Sequence, residues 1–170
     1  MSEALGSHAC ARLEALFFET FTQEFHTLLK GGAEEPFYQA ANAGAPAIIH
    51  YRHDFVASAL HEIAHWCLAG AARRQQDDYG YWYAADGRDL AQQQLFEQVE
   101  VKPQALELLF SRACGLPFRV SVDNLALPEH DASNFAFKVE QQAMAWLEQG
   151  GLPPRAVSWI AALEANFAPG

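Results

Sequence analysis

Two histidines four positions apart, His61 and His65, with Glu62 directly after the first, are the residues of this chain best placed to do chemistry. On an α-helix, residues i and i+4 lie on one stripe, so both imidazoles can grip a single cation. His-Glu-x-x-His on a helix is a metal-site signature, usually for zinc, that leaves the glutamate free to act as a base. A catalytic metal usually keeps three protein ligands and an open position. The third ligand must come from elsewhere, and the segment from Gln92 to Glu107 is the best source because Glu97 and Glu100 lie about one helical turn apart there. Glu100 is the first choice, since Gln104 stands one turn further on and could orient it, whereas Glu97 has only Val101 at that offset. Glu97 stays open as the alternative.

The elements that must position these groups are readable. Ala47 to Tyr51 is a short apolar run that predicts a buried strand. Asp54 is placed to cap a helix running from Phe55 to about Ala72. Val56, Leu60, Ile63 and Cys67 repeat at helical spacing, while Asp54, Ser58, His61, His65 and Ala69 share another stripe with Glu62 at its edge. That second stripe is poor in bulky aliphatics, as expected of a face lining a site. Tyr79 to Tyr83 predicts a strand and Asp86-Gly87 a turn. Tyr79, Tyr81 and Tyr83, with Asp77, Asp78 and Asp86 nearby, form a candidate pocket wall for a cationic substrate. An edge strand packing the core explains the same aromatics equally well. Arg73-Arg74 most simply complement the dipole of the motif helix.

With 170 residues, 51% apolar and 19% charged, the chain supports one folded domain spanning 1–170. A net charge of −10 argues against direct nucleic-acid binding, which needs a basic footprint. Three widely spaced cysteines without a C-x-x-C read as reduced packing residues of a cytoplasmic protein. No apolar run reaches membrane-span length, so no membrane partner is expected.

The remainder reads as scaffold. One amphipathic helix is expected from His8 to Leu29, apolar at Leu13, Leu16, Phe17, Phe21, Phe25 and Leu28 and stopped by Gly31-Gly32. Glu35 to Pro46 reads as a connection, and the helix carrying Glu100 continues to Cys114-Gly115, with Pro103 at a helix start or a kink. Phe118 to Val122 alternates as a strand, and Leu127 to Asp131 is loop. Ser133 is placed to cap a helix to about Gln149, and Pro153-Pro154 opens a last one. The fold class is α+β: a single, mostly helical domain with a small sheet or hairpin. Its metal helix faces a second helix in a zincin-like arrangement.

Taken together, the chain resembles the elongation factor P hydroxylases. The resemblance rests on Ser58 to Cys67, Ala72-Arg73-Arg74, Gly80 to Tyr83, Asp86-Gly87-Arg88, Phe96-Glu97 and Val99 to Ala105, extended by Pro117-Phe118 and Asp123-Asn124-Leu125. It implies a hydroxylase (a monooxygenase) acting on translation elongation factor P, at a lysine already extended by a β-lysyl group. It also implies a two-histidine, one-carboxylate metal centre, with His61 and His65 as ligands and Glu100, or else Glu97, as the carboxylate. A divalent transition metal is expected, iron by the resemblance, with zinc as the alternative. No histidine begins an H-x-D or H-x-E triplet, so 2-oxoglutarate is not expected as cosubstrate. The rival reading is a zinc-dependent peptidase or other hydrolase with Glu62 as general base. A binding module with a structural zinc is disfavoured, because such sites take four ligands and Cys67 lies on another helix face.

Overall fold

The computed structural model describes residues 2–78, 90–121 and 132–167. Helix α1 (Ser2–Phe17) runs through a π turn (Phe18–Thr22) into the short α2 (Gln23–Phe25). Strands β1 (Thr27–Ala33), β2 (Phe37–Gln39) and β3 (Ala47–Arg52) follow, then helix α3 (Val56–Leu68). Helices α4 (Leu90–Ala113), α5 (Ser133–Gln149) and α6 (Pro154–Phe167) complete the described chain. The three strands form one sheet in the order β1-β3-β2, with β1 parallel and β2 antiparallel to β3. The chain is therefore mostly helical α+β.

The first helical stretch ends earlier than its apolar periodicity suggests. His26 adopts a left-handed conformation (φ 52°), and Thr27 begins a strand instead of a further helical turn. The Thr22 hydroxyl donates to the Thr27 carbonyl and the Thr27 hydroxyl to the Phe25 carbonyl, which fixes the reversal. Leu28 and Leu29 then pair with Ile48 and Ile49 of β3. Gly31-Gly32, expected to stop a helix, lies inside β1. A Cβ on Gly31 would sit 2.6 Å from the Tyr51 ring and 2.7 Å from the His53 carbonyl oxygen, so only glycine lets β1 pass there. The Gly31 amide and the Tyr51 hydroxyl both donate to Glu14 Oε1, tying the sheet to α1.

Helix α3 carries His61, Glu62 and His65. It packs against α4, β3, α1 and α6. Its buried face holds Ala59, Leu60, Ile63, Ala64, Trp66 and Cys67. Trp66 follows His65 directly and anchors the site to the core. Phe17, Phe21 and Phe25 surround it with ring centroids at 5.2, 5.0 and 5.4 Å. Residues spaced by four drift about 40° per step around an ordinary helix, and the wider π turn reduces that drift. Three phenylalanines at this spacing therefore reach one indole.

The far end of α3 is held by Arg155 of α6, whose guanidinium donates to the carbonyls of Trp66 (2.7 Å), Cys67 (3.2 Å) and Ala69 (2.6 Å). These are terminal carbonyls that no later turn of α3 can satisfy. Arg74 adds a bond to the Ala69 carbonyl, whereas Arg73 pairs with Asp78. Asp54 does not cap α3, since Phe55 occupies the cap position without a side-chain bond; Asp54 instead accepts from Ser7 of α1. Residues 118–121 do not form the expected strand: the amide and carbonyl of Ser121 are taken by the Gln104 side chain. The expected strand at Tyr79–Tyr83, the turn at Asp86-Gly87 and the loop at Leu127–Asp131 lie outside the described residues.

Candidate metal centre

Helices α3 and α4 bring their polar stripes together. His61 meets Glu107 and Glu100, while His65 meets Glu100, so the two helices run antiparallel at the site. Along α4, Glu100, Gln104 and Glu107 follow at offsets of four and three residues and share one face. Pro103 lies inside α4 and removes the amide that would bind the Val99 carbonyl. Val99 is exposed, so water can replace that partner without cost to the buried face.

Donor atoms of three residues converge. His61 Nε2 is 3.1 Å from His65 Nε2 and 3.4 Å from Glu100 Oε1, and His65 Nε2 is 3.1 Å from Glu100 Oε2. Bonds of about 2.0–2.1 Å from one cation place neighbouring ligands about 2.9–3.4 Å apart in octahedral or tetrahedral geometry. The separations fall in that range, with the two nitrogens measured to different oxygens of Glu100, and one ligand atom from each of the three residues lies within 4.8 Å of the others. The residues present therefore fit a metal ion, with the remaining positions open. Glu97 is not part of this group; it lines a groove of about 750 Å³ between α4 and α5, with Val101, Lys102 and Lys138.

The electrostatics suit the arrangement. Burial would raise the Glu100 pKa, but hydrogen bonds from His61 and His65 outweigh it and hold the carboxyl well below its usual range. Glu100 is thus an anion although only 4% exposed. Burial would lower the His61 pKa, and hydrogen bonds to Glu100 and Glu107 reverse that and carry it well above its ordinary value. Glu62 sits beside the cluster. Burial pushes its carboxyl up, the two histidines pull it down, and Glu100 and Glu107 add to the rise. Cys67 faces the core, where burial raises its thiol to about 12, so it offers no thiolate to close the site.

Gln104 is fully buried and supports Glu100 from one side. Its amide nitrogen lies 3.5 Å from Glu100 Oε1 and donates to the Ser121 carbonyl at 2.8 Å, while its oxygen accepts from the Ser121 amide at 2.9 Å. Glu107, which was not among the residues expected at the site, accepts from His61 Nδ1 at 2.7 Å. Its signal was present: Glu107 lies seven residues after Glu100, hence on the same stripe. Of the candidate substrate residues, Asp78 bridges to Tyr38 and is ion-paired with Arg73 at 2.8 Å. Asp77 accepts from the Ala40 amide. Tyr79, Tyr81, Tyr83 and Asp86 lie outside the described residues.

An α+β domain carrying two histidines and one carboxylate on facing helices, able to hold a metal with open positions, defines a class of protein rather than one activity. The comparisons narrow it. A family model described as elongation factor P hydroxylase matches residues 16–169. The chain is also 42% identical, over 161 residues, to the elongation factor P lysine hydroxylase of Haemophilus influenzae, covering 94% of this chain and 90% of that relative. The chain belongs to the elongation factor P hydroxylase family.

Proposed function

We propose that this protein hydroxylates a lysine of translation elongation factor P, the lysine already extended by a β-lysyl group, at a metal held by His61, His65 and Glu100. The observation that carries the reading is the convergence of these three donors in a chain that belongs to the hydroxylase family. Two histidines and one carboxylate with open positions suit iron, which when bound supplies the redox chemistry that dioxygen requires. Zinc has no redox chemistry, so hydroxylation favours iron even though the donor geometry accepts either.

The chain's own residues have separable roles. His61 and His65 bind through Nε2, and Glu100 brings the negative charge that a divalent cation needs in a buried place. Gln104 holds Glu100 against the backbone at Ser121. Glu62, raised by burial yet flanked by two imidazoles, is the group suited to hold or move a proton beside the open positions. Arg73 already neutralises Asp78, so attraction of a cationic lysyl-lysine side chain falls to Tyr79, Tyr81, Tyr83 and Asp86 and to the overall charge of −10. A translation-factor substrate supports a cytoplasmic site of action.

The same three ligands would serve a zinc hydrolase with Glu62 as base. Metal content of protein purified without added metal, measured with activity under air and under nitrogen, separates the two. Iron with activity only in air supports the hydroxylase, and zinc with activity indifferent to oxygen would sink it.

A further inference from the structure

The His61 ring is held at both ends by one helix. Its Nε2 faces Glu100 and His65, and its Nδ1 lies 2.7 Å from Glu107 Oε1 on α4, two turns from Glu100. A carboxylate only accepts, so Nδ1 carries a ring hydrogen, and Nε2 is the nitrogen whose lone pair a cation at the centre would take. Glu107 is 9% exposed, and water competes little for its oxygen. Among the described residues His65 has no comparable Nδ1 partner, and its side chain is 37% exposed against 23% for His61. Among the described residues the two ligands are therefore unequal: His61 is held at both ring nitrogens, His65 at Nε2 alone.

We infer that Glu107 is a positioning residue that sets the His61 tautomer and aims Nε2, making His61 the preorganised ligand of the pair. A partner on the outer nitrogen of a metal-bound imidazole fixes the ring and raises its basicity, and loss of such a partner typically weakens metal binding about 10–100-fold. Because Glu100 and Glu107 ride on one helix, the carboxylate ligand and the His61 clamp keep a fixed spacing. This inference rests on the reading of His61, His65 and Glu100 as a metal site, and not on the reaction performed there.

The experiment is titration of metal-free protein with Co²⁺ alone, followed by its visible absorption, for the wild type, Glu107→Ala and Glu107→Gln. ¹⁵N NMR of the wild-type imidazoles runs beside it. The expected result is a loss of about 10–100-fold in Co²⁺ affinity for Glu107→Ala. Glu107→Gln, whose amide oxygen still accepts, should lose less, and wild-type His61 should carry its hydrogen on Nδ1. Wild-type Co²⁺ affinity in Glu107→Ala, even with a lowered melting temperature, would make Glu107 merely structural and overturn the inference. A wild-type His61 without a hydrogen on Nδ1 would overturn it too, whether or not the variants fold. If the wild type takes up no Co²⁺, the metal reading itself fails and the inference falls with it. A negative hydroxylation assay leaves the titration untouched.

Discussion

Replacing Glu100 with alanine tests the third ligand, and Glu97→Ala is its natural control. Glu100 places one oxygen 3.4 Å from His61 Nε2 and the other 3.1 Å from His65 Nε2, while Glu97 lines the groove facing α5. Partners behind a ligand are worth about 10–100-fold in metal affinity. Removing a ligand of three should exceed that range, so Glu100→Ala is expected to lose more than about 100-fold. The fold should suffer as well. Breaking a buried pair costs about 3–5 kcal/mol, and the lower end, about 3 kcal/mol, applies because water reaches His65. Glu97→Ala should stay within about 0.5 kcal/mol in stability, as surface changes do, and within a few-fold in affinity. Parallel metal titrations and urea unfolding of both variants read all of these values. A larger affinity loss in Glu97→Ala would move the ligand one turn along α4, and mild, equal losses would remove α4 from the site.

The other expectations concern neighbouring parts of the same frame. His61→Ala and His65→Ala should each abolish stoichiometric metal while keeping the helical circular dichroism, because α3 is anchored by Trp66 and Leu60 on its opposite face; a variant retaining full metal would refute that ligand. Glu62→Gln should keep the metal and slow turnover; a hydrolase would lose about 10²–10⁴-fold with its base, and near-complete activity would make Glu62 structural. Arg155→Ala removes three hydrogen bonds to carbonyls at the end of α3, of which that of Ala69 keeps its bond from Arg74, and a contact 4.6 Å over Trp66. With charged hydrogen bonds worth about 1.5–3 kcal/mol each and partial replacement by water, a loss of about 3 kcal/mol is expected. A urea midpoint corresponding to less than about 1 kcal/mol would refute the capping role.

The site was more legible in the sequence than the scaffold that carries it. His61, His65 and Glu100 could be paired because helical spacing converts sequence offsets into shared faces, and Gln104 followed from the same arithmetic. Glu107 is not marked by the ligand motif, because its partner is the outer nitrogen of the His61 ring and that contact forms only when α3 and α4 pack. The early turn into β1 was hidden for another reason. Leu28 and Leu29 continue a helical apolar pattern, and only the left-handed His26 and the pairing with Ile48 and Ile49 decide for a strand. Both depend on contacts between distant segments. The same is true of Arg155, an ordinary surface-type residue in sequence whose role as the cap of α3 exists only once α6 docks. Phe118 to Ser121 alternates like a strand, yet the Gln104 side chain takes the Ser121 amide and carbonyl that a ladder would use.

The central claim is that this centre adds oxygen to elongation factor P. The direct test is mass spectrometry of β-lysylated elongation factor P incubated in air with the iron-loaded protein and a chemical reductant, and in parallel with His61→Ala. The reductant supplies the two electrons that reduce the second oxygen atom to water. One added oxygen is expected on the peptide bearing the modified lysine with the wild type and none with the variant. An unchanged peptide with fully metal-loaded wild type, or equal oxygen incorporation by His61→Ala, would contradict it.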